Sequence, residues 1–205
     1  MPSVTRRASR DADHREAVAR QVTDAVERLL AEGSTYTSLG VQRIAAEAGI
    51  ARSTFYLYFP DKVALLLRTT EIATEELFAA AEAWAREGFE DLAALERTVA
   101  ELVAQQRAHA PLLAALTEVA GYEPEVAAFW RARVGRFVEV LRRRLAAGQK
   151  AGTVDRALDP TVTAAWMAWG AERLIAQHVA GDGGRGDARL ARGLATAIWA
   201  TLGRT

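Results

Sequence analysis

The sequence has no cysteine, only five prolines in 205 residues, and no excess of either charge. The first absence removes disulfides, thiol nucleophiles and thiolate metal sites together. No uncharged apolar run is long enough to cross a bilayer, and no apolar stretch follows Met1 as a secretory leader would, so a soluble cytoplasmic protein is expected. Alternating runs of Val, Ile and Thr are also missing, which argues against strands. With 26 basic and 26 acidic residues the global charge balance does not point to nucleic acid. What remains is a chain half hydrophobic, rich in alanine, and long enough to bury a core as one large domain or two small ones. The composition leans to helices.

Polarity becomes periodic from Asp11. Val18, Val22, Ala25, Val26 and Leu29 share a stripe that Gly33 ends, which predicts a first helix over about 12–32. The preceding residues 1–10 carry Arg6, Arg7 and Arg10 and no acid. They read as a flexible basic tail, either merely solvated or an arm that touches phosphate. Short helices follow over 41–48 and from Arg52, the second closed by Pro60. Leu66, Thr70, Ala73, Leu77, Ala80 and Trp84 then step by four and three residues, the face of one long helix ending at Gly88. Further helices are expected at about 90–109, 111–120, 124–147, 160–180 and 187–202, with Pro111 and Pro124 in first turns and Asp159 capping the helix that Pro160 opens. The stretches "GQKAGTVDRALDP" and "GDGGRGD" read as loops, the latter as the most flexible segment. The expectation is an all-α chain of about nine helices: a three-helix N-terminal domain over 1–60, then a larger helical bundle over 61–205.

Two short helices joined across "AGIA" behind a longer one form a helix-turn-helix pattern. Ala45 permits close approach, Gly49 tolerates a left-handed backbone, and Ile50 plugs the corner. An ordinary helical corner shows the same spacing, so the next segment carries more weight. "RSTFYLYF" places four aromatic rings in five positions. Phe55 and Phe59 lie one turn apart and read as core, whereas Tyr56 and Tyr58 project elsewhere, where phenol hydroxyls can reach phosphates.

The unbroken stretch "VQRIAAEAGIARSTFYLYFPDKVALL", from about Val41 to Leu66, closely resembles the signature of the TetR family of bacterial transcriptional regulators. The resemblance implies phosphate contacts from Thr54, Tyr56 and Lys62. It implies base-edge or nearby backbone contacts from Gln42, Arg43, Arg52, Ser53 and Tyr58, although Tyr58 would serve equally as a ring covering the next helix. Gly40 stands where many relatives place a Ser or Thr cap, which leaves only its backbone N–H for a phosphate.

The later helices carry Trp130, Val134, Phe137 and Leu141 on one face, and Val162, Trp166 and Trp169 on another, with Glu172 one turn on. Such stripes suit a bundle core, yet tryptophans are awkward filler, and their clustering suits an aromatic-lined cavity. "EVAAFW", "AERL" and "IW" resemble the EthR-like branch of the family. That resemblance implies a tunnel for an elongated hydrophobic ligand, lined by Leu95, Leu102, Gln106, Trp130, Val134, Phe137, Ala168, Ala171, Glu172, Ile175 and Trp199. Trp166 and Trp169 join this set by their stripe. Glu172 could hydrogen-bond a ligand or pair with Arg173 or another arginine. Leu190, Leu194, Ala197 and Thr201 share a face of the last helix; they suit a homodimer interface or packing within the subunit. "RRR" at 142–144 reads as a solvated helix end.

No enzyme is expected. His14, His109 and His178 have no metal-spaced companions, there is no nucleophile elbow and no phosphate-binding glycine loop, and Glu172 and His178 fall on different helix faces. The resemblance implies a cofactor-free, ligand-responsive repressor that binds palindromic operator DNA as a homodimer and is released by a small hydrophobic effector. An activator on the same scaffold, or an effector-independent architectural DNA-binding protein, are the alternatives.

Overall fold

The computed structural model describes the backbone of residues 4–87 and 91–202, and the side chains of 14–83 and 91–202. Among the described residues there are ten α-helices and no strand: α1 Val4–Ala31, α2 Val41–Glu47, α3 Arg52–Tyr58, α4 Lys62–Ala73, α5 Glu75–Glu87, α6 Leu92–Ala108, α7 Ala110–Ala120, α8 Pro124–Ala151, α9 Pro160–Gly181 and α10 Asp187–Thr201. The chain divides into two compact units. One comprises Met1–Ala73 and Pro111–Ala127, the other Thr74–Ala110 and Ala128–Thr205.

In the first unit α1 packs against α2 and α4, and α2 against α3. The expected stripe is the buried one: Val22, Ala25 and Val26 are fully enclosed, as are Ile44 and Phe55. Each of these side chains larger than alanine contributes about 1.5–3 kcal/mol by leaving water. The α2–α3 corner is built as the sequence requires. Gly49 has φ +66°, a backbone that only glycine adopts without strain, and Ile50 N–H returns to the Ala45 carbonyl at 2.9 Å. Two polar contacts fix α2 on α1. Gln21 Nε2 donates to the Ala48 carbonyl at 2.6 Å, and Arg28 pairs with Glu47 at 2.8 Å. The segment 111–127 joins this unit through Glu118, whose carboxylate accepts from Thr37 Oγ1 at 2.6 Å.

The second unit packs α6 against α5, α9 and α10 around Leu95, Val99, Val103, Leu141, Met167 and Ile198. Asp159 caps α9 by accepting from the N–H groups of Thr161 and Val162, and Asp91 caps α6 through Ala94.

The helices depart from the expected spans in three places. The long helix over 61–87 is two, α4 and α5, parted at Thr74. Three threonines, Thr69, Thr70 and Thr74, are buried in this stretch, and stiff β-branched side chains lower the preference for continuous helix. α1 begins at Val4 rather than near residue 12; "RRASRDAD" has no breaker to stop it. The side chains of Arg6, Arg7 and Arg10, and of Trp84, lie outside the described residues. Finally, α8 runs through Gly148 to Ala151 where a loop is expected. Gly148 serves close approach instead of a turn: a Cβ there would meet Val154 Cγ2 at 2.5 Å, because Thr153 and Val154 fold back onto its carbonyl.

The loop "GDGGRGD" differs in kind from its expected flexibility. Asp182 Oδ1 accepts from Gly184 and Gly186 N–H, and Arg107 grips both Asp187 carboxylate oxygens, at 2.6 and 2.8 Å, while also donating to the Asp182 carbonyl. His178 Nε2 lies 2.8 Å from Asp187 Oδ1. The loop is an anchored corner between α9 and α10. His178, Asp182 and Asp187 thus cluster in a way their separation in sequence conceals, but their acceptor oxygens are engaged by Arg107 and by backbone N–H groups.

Candidate DNA interface and internal cavity

In the first unit, α3 has two faces set by helical periodicity. Phe55 and Phe59 are buried with ring centroids 5.4 Å apart, and they seat the helix. Arg52, Ser53, Tyr56 and Leu57 form the opposite, exposed face. The Arg52 guanidinium lies 5.6 Å from the Tyr56 ring centroid, which steadies both side chains while leaving their polar atoms in solvent. Thr54 and Tyr58 are half-buried, and Tyr58 meets His14 edge-on at 6.4 Å. From α2, Gln42 and Arg43 are exposed; Arg43 makes a loose pair with Glu32 at 3.7 Å. Gly40 caps α2 with no side-chain hydrogen bond, and Ala51 likewise at α3. Both short helices therefore present first-turn N–H groups to solvent or to an anion.

Lys62 has a more internal setting than a free phosphate donor. Its Nζ donates to the carbonyls of Tyr36 and Thr37 at 2.8 and 3.1 Å and lies 5.1 Å from the Tyr36 ring centroid. In return Tyr36 Oη donates to the Lys62 carbonyl at 2.6 Å. Burial lowers the Lys62 ammonium from its ordinary pKa, and burial, then Asp61, lifts the Tyr36 phenol well above its own. Two of the three ammonium N–H groups are thereby committed, leaving one for a phosphate. Tyr36 escapes the sequence reading because its partner lies 26 residues away. Leu57 escapes it too. It is 76% exposed, the most exposed large apolar side chain described, on the face that Arg52 and Tyr56 share.

The second unit holds a partly open cavity of about 80 Å³. α6 contributes Leu102 and Gln106; α8 contributes Trp130, Val134 and Phe137; α9 contributes Ala168, Ala171, Glu172 and Ile175. The sequence names all nine. α5 adds Leu77, Phe78 and Ala81, which it does not. Phe78 and Trp130 meet edge-to-face at 5.9 Å. Burial raises the Glu172 carboxyl above its ordinary pKa, against the opposing pulls of Arg173 and of the Trp130 indole N–H.

Four expected lining residues lie elsewhere. Leu95 is sealed in the core at 2% exposure, and Trp169 and Trp199 pack against that core without reaching the cavity. Trp166 is 50% exposed. It stands two residues before Ala168, about 200° round the helix from a cavity-facing position. With Val162 and Leu174 it gives α9 an exposed apolar face. A second, open groove of about 660 Å³ runs between α9 and α10, lined by Trp166, Leu174, Leu190, Leu194 and Ala197 among others. On α10 Leu194 is buried, Leu190 and Thr201 are half-buried and Ala197 is exposed, with Thr201 Oγ1 donating to the Ala197 carbonyl. Farther from either site, Arg142 and Arg143 both pair with Glu139 and hold its carboxyl down to about 2.

Residues 22–69 match the family model for bacterial regulatory proteins of the tetR family. No curated protein sequence matches the chain. Among solved structures, a TetR transcription regulator from Haloarcula marismortui is similar with a TM-score of 0.73 at 18% identity, over 91% of this chain and 98% of that one. The regulator FadR of Bacillus subtilis, solved with stearoyl-CoA, gives a TM-score of 0.68 at 20% identity over 89% and 98%. A transcriptional regulator from Saccharomonospora viridis, solved with choline, gives 0.67 at 18% over 89% and 96%. The helix-turn-helix is thus a TetR-type DNA-binding domain, on a chain with the all-helical fold of the TetR-family transcriptional regulators.

Proposed function

We propose that this protein is a bacterial cytoplasmic repressor that binds palindromic operator DNA as a homodimer and releases it when a small hydrophobic effector enters the α5–α6–α8–α9 cavity. The observation that carries the DNA half is the exposed face of α3, where Arg52, Ser53, Tyr56 and Leu57 stand together over a buried Phe55–Phe59 seat. Such a helix enters a major groove, with Thr54, Tyr56, Lys62 and the Gly40 N–H on phosphates and Gln42, Arg43, Arg52, Ser53 and Tyr58 near base edges.

The dimer half rests on the outer faces of α9 and α10. Trp166 and Leu174 expose apolar surface beside Leu190, Leu194, Ala197 and Thr201, and two copies of that face cover each other in an isologous interface. Two recognition helices then occupy successive major grooves about 34–36 Å apart. The effector half rests on the cavity itself, nine of whose lining residues are those implied by the EthR-like resemblance. At about 80 Å³ it is tighter than ordinary ligand pockets of about 300–1,000 Å³, so an effector widens it on entry. α5 and α8 line it, and α5 follows directly on α4. Widening the cavity therefore turns α4 at the Thr74 joint and changes the spacing of the recognition helices. Coupling of this kind is typically about 1–3 kcal/mol.

Selection of bound duplexes from a random library at a stated salt concentration tests the reading. An enriched palindrome with half-sites near one turn apart supports it. Loss of all binding with modest added salt, or enrichment of a single unrepeated site, refutes the dimeric repressor.

A further inference from the structure

The lining of the cavity is almost uniformly apolar, and its few polar groups are unequal. Of the lining residues, Glu172 alone carries an ionisable group; Gln106 adds a neutral amide. Glu172 is half-buried, and no arginine or lysine among the described residues forms a salt bridge with it. An ionised carboxylate offers about four acceptor positions, and the indole N–H of Trp130, which lines the same cavity, favours its charged form. Around it stand the rings of Phe78, Trp130 and Phe137.

A carboxylate facing an apolar cavity is costly to keep charged unless something positive shares the space. Aromatic faces favour the same sign, since a cation near a ring gains about 0.5–2 kcal/mol from the ring quadrupole. A carboxylate effector would meet repulsion from Glu172, and a neutral one would leave the charge to the pull of Arg173 and the Trp130 N–H alone. The one buried guanidinium of the neighbourhood, Arg133, lies 4.6 Å from the Phe78 ring centroid and is not part of the lining. It cannot serve as counter-charge for an anion inside the cavity without rearrangement.

We infer that the effector is a lipophilic amine, whose ammonium docks between the Glu172 carboxylate and the Trp130 and Phe78 rings while its hydrocarbon lies along Leu102, Val134 and Ile175. The inference rests on the effector reading of this cavity and narrows it to a charge class. The cavity accommodates roughly five to eight water-sized groups, enough for a short chain with one polar head.

Isosteric probes decide it: n-hexylammonium, n-hexanol and n-hexanoate, titrated into the full-length protein at pH 7.5 by calorimetry, with Trp fluorescence as a second readout. Hexylammonium should bind about tenfold or more tighter than hexanol, as a charge-assisted hydrogen bond implies, and hexanoate weakest. Glu172→Gln keeps the side chain's shape, so it should remove the preference for the amine while changing hexanol binding less than about threefold. Hexanol equal to the amine, or hexanoate tightest, overturns the charge assignment while leaving an effector cavity intact. An amine preference that survives Glu172→Gln overturns it too, since the cation then sits elsewhere. Failure of all three probes to bind overturns both the assignment and the effector reading of the cavity.

Discussion

Replacing Lys62 by methionine separates two roles that the structure superimposes. The side chain keeps its length and apolar stem but loses the ammonium that donates to the Tyr36 and Thr37 carbonyls at 2.8 and 3.1 Å. Fully buried, charge-assisted bonds to carbonyls contribute about 1.5–3 kcal/mol each. Lys62 is only half-buried and one of its bonds is exposed, so solvent screening reduces the pair to about 1–2 kcal/mol together. For a chain of this length that is a fall in Tm of about 2–8 °C, measured without DNA at fixed protein concentration. Tyr36→Phe strips the phenol from the reciprocal bond, but the Lys62 carbonyl opens α4 and keeps its place in the helix ladder, so the loss should be smaller, about 0.5–1.5 kcal/mol. Because the residues hold each other, the double variant should be more stable than the sum of the single losses predicts, by about 0.5 kcal/mol or more. Operator affinity supplies the second axis. On the proposed DNA interface the remaining ammonium N–H contacts a phosphate, and on that reading Lys62→Met should also lower the salt slope of binding by about one. An unchanged Tm with a reduced slope would refute the clamp and leave a phosphate contact only. A reduced Tm with an unchanged slope would refute the phosphate role.

Leu57 is exposed on the face of α3 that Arg52 and Tyr56 share, which on the proposed DNA interface would meet the methyl of a thymine; Leu57→Ala should relax base preference at one position of the selected operator, and an unaltered sequence profile would remove it from the interface. Gly148→Ala forces a Cβ to within 2.5 Å of Val154 Cγ2, so denaturant unfolding should show a loss of about 1–3 kcal/mol, which Val154→Ala in the same chain should largely recover. Burial raises the Glu172 carboxyl, so the folded state takes up its proton more readily than the unfolded state. Its contribution to stability is therefore greatest in acid and is lost as pH rises from the ordinary value near 4.5 through the raised one. Glu172→Gln should flatten the stability–pH curve in that window; a curve unchanged by the substitution would show that Trp130 and Arg173 already compensate the charge.

The sequence reads clearly where one helix face alone decides the outcome. The stripe of α1, the Gly49 corner, the Asp159 cap and the Phe55–Phe59 seat depend on residues within a few positions of one another, and all are found in place. Much of the cavity lining is implied as well, through the EthR-like resemblance, with helical spacing alone pointing only to the Trp130, Val134 and Phe137 face of α8. What does not read is whatever two distant segments settle between them. Nothing in "GDGGRGD" announces that Arg107, 80 residues before Asp187, turns a flexible-looking loop into a fixed corner. Nothing around Gly148 says that Val154 will fold back and make a helical glycine necessary. Aromatic content misleads for the same reason: the tryptophans cluster in sequence, but rotation about α9 sends Trp166 outward while Ala168 faces the cavity.

The Thr74 joint has the most consequence for mechanism. A single helix over 61–87 would transmit a shift as a rigid rod, with displacement at one end fixed by tilt at the other. Two helices meeting at a buried threonine cluster can change their mutual angle by adjusting a few backbone torsions, as hinge positions do. On the proposed effector reading, widening at Phe78 and Ala81, one or two turns beyond Thr74 on α5, would act close to this break in the helix. α4 in turn opens with Lys62, whose ammonium and carbonyl are both tied to the 36–37 segment. A rotation of α4 accordingly carries that segment with it, and with it the approach to α2. On this arrangement the clamp and the joint are the two ends of one lever, and stiffening the joint should weaken effector response without touching either binding site.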